Sequence, residues 1–311
     1  MGEILIDFIV ADGATSLESA ETFAARAGGA PANVAVALSR LGVPAAFCGV
    51  VGDDPFGTRL RHELTAEGVD ASRLRQTRDA ATTFAYAWKD DRGDGHFWLL
   101  RGADTMLNDQ DVRSAGIGQL AALVVGSVSL AAQPSRDAIT GAVALAHDAG
   151  VHVVFDINLR PTLWPDLATA RPICEAIARQ SRLVKLSLDD ARGLFGPDTI
   201  PADAIRAAQA LGSGWVVLTD GERGCWFATD SDTAIETVPA YAVDAIEPTG
   251  AGDAFTAALI ARLIDSSWFP PTRDDVRYAA AAGALATTRR GAWEGLPDRV
   301  RLHEFLKTRR S

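Results

Sequence analysis

The sequence predicts an α/β protein in which helices flank a doubly wound, mostly parallel sheet, and three observations carry that prediction. Beyond Asp109, apolar runs of strand length alternate with helix-length segments, an order that gives right-handed βαβ crossovers. Polar residues gather at the carboxyl ends of those runs, Asp156-Ile-Asn158 and Lys185-Leu-Ser187 among them, where open parallel sheets hold ligands. Between residues 80 and 104, aromatic residues alternate around an Asp/Gly turn and read as a separate small β element. No linker, repeat or low-complexity tract divides the 311 residues. The chain therefore reads as one domain over 1–311, long enough to bury a substantial core.

Taken in order, Ile4 to Val10 is an apolar strand interrupted by Asp7, and a carboxylate there needs a partner or a ligand to offset its burial. Gly28-Gly-Ala-Pro-Ala-Asn33 opens a helix with Val34, Ala37, Leu38 and Leu41 on one face, Pro31 in the first turn and Gly42 as the stop. A strand from Ala45 to Val51 and a helix from Pro55 to Glu67 follow. Phe84, Tyr86 and Trp88 then alternate, Asp90 to Gly95 turn, and Phe97 to Leu100 return as a hairpin. Aromatic residues on such a hairpin fit a cover over a ligand or a subunit contact. Strands at Leu120–Gly126, Val151–Asn158, Arg182–Ser187 and Gly214–Thr219 enclose helices at Pro134–Ala149 and Ala168–Gln180. The turn Thr219-Asp-Gly221-Glu-Arg-Gly224 leads into Cys225–Thr229. An Ala-rich helix from Asp275 to Thr288 and a closing helix from Asp298 to Arg309 complete the chain.

Composition excludes several classes. Net charge is -10, only Lys89, Lys185 and Lys307 are lysines, and no basic block exceeds Arg309-Arg310, so nucleic acid and anionic membrane are poor partners. Cys48, Cys174 and Cys225 are odd in number and unpaired in spacing, which argues for reduced thiols over a disulfide framework or zinc site. Glu3 and Asp7 interrupt the first apolar run, and no apolar stretch has membrane-spanning length. A cytoplasmic protein is expected.

The stretch that carries chemistry is Glu247-Pro-Thr-Gly-Ala-Gly-Asp253, running into the apolar helix Ala254–Ile264. Gly250 and Gly252 leave backbone N–H groups free to close on an anion at a helix start. Asp253 adds a carboxylate in the first turn, where the helix dipole favours the ionised form. An anion cradle beside a base points to phosphoryl transfer, although the same residues would also serve an ordinary Gly-rich helix start. No GxxxxGK[ST] loop is present. Helix amides, a magnesium ion and Arg160 are the groups left to neutralise phosphate charge.

The segment TGAGDAF, Thr249 to Phe255, together with GGAPANVA, Gly28 to Ala35, resembles the two signature regions of the ribokinase or PfkB family of carbohydrate kinases. The resemblance extends over essentially the whole chain. It implies a ribokinase-like fold with a small β-sheet lid from 8–24 and 80–104, ATP and Mg2+ as cofactors, a small sugar as substrate, and a homodimer formed through the lid. Family roles carried over place an anion hole on Gly250, Ala251, Gly252 and Asp253, with Asp253 taking the proton from the sugar hydroxyl. Asp7, in a segment similar to the family's GExLID, falls on sugar hydroxyls with Gly28, Gly29 and Asn33. Arg101 resembles the Arg of a YRxxxAD stretch that reaches the sugar.

Asp156-Ile-Asn158-Leu-Arg160-Pro-Thr-Leu-Trp164 looks like the family's DxNxRxxLW segment, with Asn158 and Arg160 along ATP and sugar. Lys185, Ser187 and Asp190 occupy a KxNxxE stretch in which Ser and Asp replace Asn and Glu. Lys185 and Ser187 are expected on the nucleotide and Asp190 on magnesium. Thr219, Gly221 and Gly224 are expected against the nucleotide, and Ala281 against adenine. Arg289-Arg-Gly-Ala292 resembles the end of the monovalent-cation loop. Glu247 stands where the family has an Asp that helps hold potassium, which implies weakened or altered K+ activation. Several strand residues precede the GE pair in resembling kinases, so the amino terminus is expected to be incomplete.

Within the family, GExLID, the RGAD stretch and NLRPTLW look most like fructokinases, with 2-keto-3-deoxygluconate kinases as the nearest rivals. The rivals bind a carboxylate and need an additional cation. Lys89 and Arg92 fall in or beside the predicted turn, which favours fructose. A non-catalytic sugar-binding regulator on the same fold is the reading from another class, and the intact GAGD argues against it.

Overall fold

The computed structural model of the chain describes residues 1–92, 95–229 and 234–309. Its first part holds β1 (Leu5–Val10), β2 (Phe23–Gly28), α1 (Ala30–Arg40), β3 (Ala46–Gly52), α2 (Pro55–Ala66), β4 (Asp70–Thr77), β5 (Phe84–Lys89) and β6 (Gly95–Leu100). The middle holds α3 (Asp109–Ser114), β7 (Ala122–Gly126), α4 (Ser135–Asp148), β8 (His152–Asp156), α5 (Leu167–Ala178), β9 (Leu183–Ser187), α6 (Leu188–Phe195), α7 (Pro201–Ala210), β10 (Trp215–Thr219), β11 (Cys225–Thr229) and β12 (Glu236–Val238). The last part is helical: α8 (Ala251–Asp265), α9 (Arg273–Ala286), α10 (Ala292–Gly295) and α11 (Arg299–Lys307).

Six strands form one sheet in the order β12-β11-β10-β9-β8-β7. Its β7 to β10 are parallel, and β11 and β12 turn back antiparallel. A parallel pair, β3 and β4, lies beyond β7. The amino-terminal residues bridge the two, because the Met1 ammonium donates to the Val124 carbonyl at 2.8 Å and the Gly2 N–H to that of Cys48 at 3.1 Å. Side chains alternate across the main sheet as strand geometry requires. Trp215 and Val217 of β10 enter the apolar cluster under α1, α8 and α9, and Val216 and Leu218 enter the one under α4, α5 and α7.

A second sheet of four strands, β2-β1-β5-β6, stands apart. The first apolar run therefore leaves the central layer after Ile4 and continues as β1 of this smaller sheet. Leu5, Asp7 and Ile9 line a cavity between the two layers, and the alternate residue Phe8 packs with Phe56, Phe84 and Tyr86 on the other face. The return strand of the predicted hairpin begins at Gly95, while Gly93 and Asp94 of its turn lie outside the described residues.

Helix α8 is buried at ten of its fifteen positions, so it is apolar nearly all round and sits inside the helical layer. Small residues of α9 permit the close approach. A Cβ on Gly283 would come within 3.1 Å of the Ala251 carbonyl. No helix among the described residues is long and apolar enough to cross a membrane.

Candidate active site

The first turn of α8 opens into a cavity of about 940 Å3 between the small sheet and the carboxyl ends of the parallel strands. Residues widely separated in sequence meet there, including Asp7, Gly29, Asn33, Asn158, Arg160, Lys185, Glu247, Gly250, Gly252 and Asp253. Gly250 caps the helix in the left-handed region, φ 82°, which disfavours any side chain.

Asp253 is the third residue of α8, and its Oδ2 accepts a 2.7 Å hydrogen bond from Asn33 Nδ2. Asn33 Oδ1 in turn accepts one of 2.7 Å from the indole N–H of Trp293. The amide orientation is thereby fixed by a residue whose sequence context gave no signal. Burial pushes the Asp253 carboxyl up to about 6, the Asp156 charge adds to this, and Asn33, Lys185 and Arg160 oppose it. A helix start alone favours a carboxylate of ordinary acidity; here desolvation outweighs it. The group remains mostly ionised at neutral pH, near the range that suits a base.

Asp7 faces the cavity from β1. Burial, then repulsion from Glu247 and Asp253, raises it to about 7 against the pull of Arg160, and no hydrogen bond from the described residues relieves it. Gly28 is needed for this placement, since a Cβ there would lie 2.0 Å from Asp7 Oδ2. Gly28 does not line the cavity; it makes room for the Asp7 carboxylate that does. Gly29, φ 104°, would bring a Cβ within 2.6 Å of the Glu3 carbonyl. Glu3 itself lines the cavity, accepts from Ser129 Oγ at 2.7 Å and is raised by burial to about 7. Its place in an apolar run had concealed it.

Three of the expected residues do not line the cavity. Arg101 is not at the cavity: its guanidinium pairs with the fully buried Asp104 and donates to the Val128 carbonyl at 2.8 Å, which leaves it no reach toward a sugar. Ala281 is completely buried in the core under α9, so adenine cannot rest on its side chain; the partly exposed residues nearby are Ala280 and Ala284. Asp190 spends both oxygens on backbone N–H groups, Oδ2 on Ser187 at 2.7 Å and Oδ1 on Leu159 at 2.7 Å. It closes a capping box with Ser187 at the start of α6 and holds the turn that carries Asn158, φ 43°.

Ser187 and Thr219 are cross-strand neighbours at the carboxyl ends of β9 and β10, just outside the cavity. Gly221 and Gly224, φ 50° and 92°, shape the turn that follows. Glu247 Oε2 accepts from the Gly291 N–H at 3.1 Å, tying the loop before α8 to the loop before α10. Lys89 at the end of β5 and Arg290 also line the cavity. No group of three or more His, Cys, Asp or Glu among the described residues could hold a metal ion.

The sequence pattern of the pfkB family carbohydrate kinases matches residues 1–299. Fructokinase-1 of Zea mays is 35% identical, the match covering 98% of this chain and 96% of that protein. The structure of a fructokinase from Vibrio cholerae O395, solved with fructose, ADP and calcium, shares 33% identity at a TM-score of 0.85, over 98% of this chain and 97% of that one. A fructokinase from Xylella fastidiosa with bound ATP shares 29% identity at a TM-score of 0.87, over 100% and 98%.

Two predictions follow from these placements. A carboxyl raised in the folded state keeps a proton that the unfolded chain has released, so stability declines as pH rises from about 4 toward 7. Asp7→Asn should therefore melt higher than wild type at about pH 8, with the gap closing toward pH 4; a mutant that melts lower at pH 8 refutes this. Arg101→Met leaves Asp104 buried without its counter-charge, and denaturant unfolding should show a loss of about 3–5 kcal/mol. A raised sugar KM with unchanged stability would return Arg101 to the substrate.

Proposed function

This chain belongs to the pfkB family of carbohydrate kinases, has the ribokinase-like fold and is an ATP-dependent sugar kinase; we propose that it phosphorylates D-fructose at the 6-hydroxyl, releasing ADP. The observation that carries the mechanism is Asp253 in the first turn of α8, held by Asn33 and preceded by a Gly-rich helix start in which the Ala251 N–H donates to the Pro248 carbonyl at 3.1 Å. The sugar hydroxyl passes its proton to the Asp253 carboxylate as its oxygen attacks the γ-phosphorus, and the bond to the β-phosphate oxygen breaks. Backbone N–H groups from Gly250 to Asp253 receive the charge on the transferring group. Asp7, with no hydrogen bond from the described residues, accepts from other sugar hydroxyls beside Gly29 and Asn33, which fixes the attacking oxygen.

Asn158, Arg160, Lys185, Ser187, Thr219, Gly221 and Gly224 are the proposed nucleotide side. Magnesium, which would balance phosphate charge, would be held mainly by the phosphates, since the described residues offer no acidic cluster for it. Glu247 is the candidate potassium ligand. The four-stranded sheet is the proposed lid. Trp98 and Leu100, 53% and 49% exposed on its outer face, support pairing with a second copy.

Fructose is favoured by relatives that carry that activity in their names along nearly the whole chain. A second reading, 2-keto-3-deoxygluconate, is favoured by Lys89: it lines the cavity, whereas a position in the turn would have kept it away from a substrate carboxylate. A coupled ADP-release assay across fructose, 2-keto-3-deoxygluconate, ribose, tagatose and adenosine separates the two by kcat/KM. Asp253→Asn keeps shape and hydrogen bonding while deleting the base. Circular dichroism and ATP affinity should persist as kcat falls about 10²- to 10⁴-fold, and turnover within about threefold of wild type would remove Asp253 from the role of base.

A further inference from the structure

Behind the proposed anion hole lies a buried charge pair whose acid, Asp156, has no part in the proposed transfer. Asp156, the last residue of β8, and Lys185 of β9 are cross-strand neighbours. Their side chains are 6% and 7% exposed, and Lys185 Nζ lies 3.0 Å from Asp156 Oδ1. The second oxygen, Oδ2, accepts a 2.7 Å hydrogen bond from Thr256 Oγ1. Thr256 follows Asp253 by three residues, one helical turn along the same side of α8. A Cβ on Gly252 would meet Lys185 Nζ at 2.8 Å. The ammonium thus sits against the backbone of the second helical residue, and Asp156 fastens it there while gripping the helix through Thr256.

A buried ion pair contributes little net stability compared with apolar packing of the same volume, so stability alone does not account for this one. Its placement gives a better account. We infer that Asp156 is a positioning residue: it seats the first turn of α8 through Thr256 and holds Lys185 against Gly252, so that the two opposed charges together tune Asp253 as the base. This rests on Asp253 being the base. The groups around Asp253 are Asp156 on β8, Lys185 on β9, Asp7 on β1, Asn33 on α1, Arg160 after β8 and Glu247 before α8. Of these, Asp156 and Lys185 are ion-paired to each other, so their effects on Asp253 largely offset. The Asp156 charge raises the Asp253 carboxyl and the Lys185 charge lowers it.

The test is the acid limb of kcat against pH, at saturating ATP and fructose. Asp156→Asn preserves an acceptor for Lys185 and reverses the Thr256 hydrogen bond, its amide N–H donating to Oγ1, but leaves the ammonium unopposed. Its limb should move to lower pH by about 1 unit, the lower end of the effect of a close opposite charge. Asp156→Glu restores the charge and should restore the limb. Asp156→Asn/Lys185→Met leaves no unpaired buried charge, and its limb should stay near that of wild type even if Asp156→Asn alone fails to fold. An unmoved limb in Asp156→Asn, or a double variant shifted as far as the single one, overturns the inference, because a purely structural role lowers kcat without moving its pH dependence. The Asp253→Asn assay separates the failures. If that mutant is inactive while the limb stays put, only the positioning role falls; if it turns over normally, the base assignment falls as well.

Discussion

Burial of carboxylates around one helix start is the constraint on which this site depends. Glu3, Asp7, Asp156 and Asp253 are all nearly inaccessible in the protein, and each would be costly without compensation. The compensation differs from one to the next. Among the described residues, Asp156 has an ammonium and a hydroxyl, Asp253 an amide, Glu3 a serine hydroxyl, and Asp7 no side-chain or backbone donor. That gradient of satisfaction matches a gradient of availability. In the proposed mechanism the best-paired group supports the helix, Asp253 takes the proton, and Asp7 is left for ligand hydroxyls.

The same constraint explains why the amino-terminal strand crosses between layers. Leu5 to Val10 must carry Asp7 over the cavity and still bury Ile6 and Phe8, and period-two alternation does both at once. Space for the carboxylate comes from Gly28. The outward aromatic set of Phe8, Phe84, Tyr86 and Trp98, whose rings meet in stacked and edge contacts at 5.4 to 5.6 Å, stiffens the small sheet behind the cavity wall. A cover built this way can present Asp7 at a defined depth.

Much of this was legible in the sequence, and the remainder was hidden for physical reasons. The glycines, Asn33 and Asp253 stand out because helix starts that close on anions need those residue types. Strand and helix alternation after Asp109 is an amphipathic signal. Strand β2, Phe-Ala-Ala-Arg-Ala-Gly, has too few large apolar residues to read as a strand, and β4 alternates around Ser, Arg and Gln. Trp293 and Thr256 look like ordinary apolar-face and helix residues until the fold brings Trp293 260 positions back to Asn33 and Thr256 100 positions back to Asp156. Arg101 was misread because its competing partner, Asp104, is only three residues on; a sequence shows that both charges are present but not that burial will lock them together.

The departure of Ser187 and Asp190 from the resembling motif has a structural consequence beyond the metal. Asp190 is short enough to close on its own helix start and also to accept the Leu159 N–H. It thereby anchors the turn in which Asn158 adopts a positive φ, a conformation that Asn tolerates better than most residues. Arg160 emerges from that turn into the cavity. In the proposed reaction, with Asp190 engaged in loop geometry, the task of balancing phosphate charge falls to Arg160, Lys185 and the amides of α8. Those are groups whose positions depend on Asp190 and Asp156, so in this chain two buried aspartates beneath the site govern cations that reach its surface.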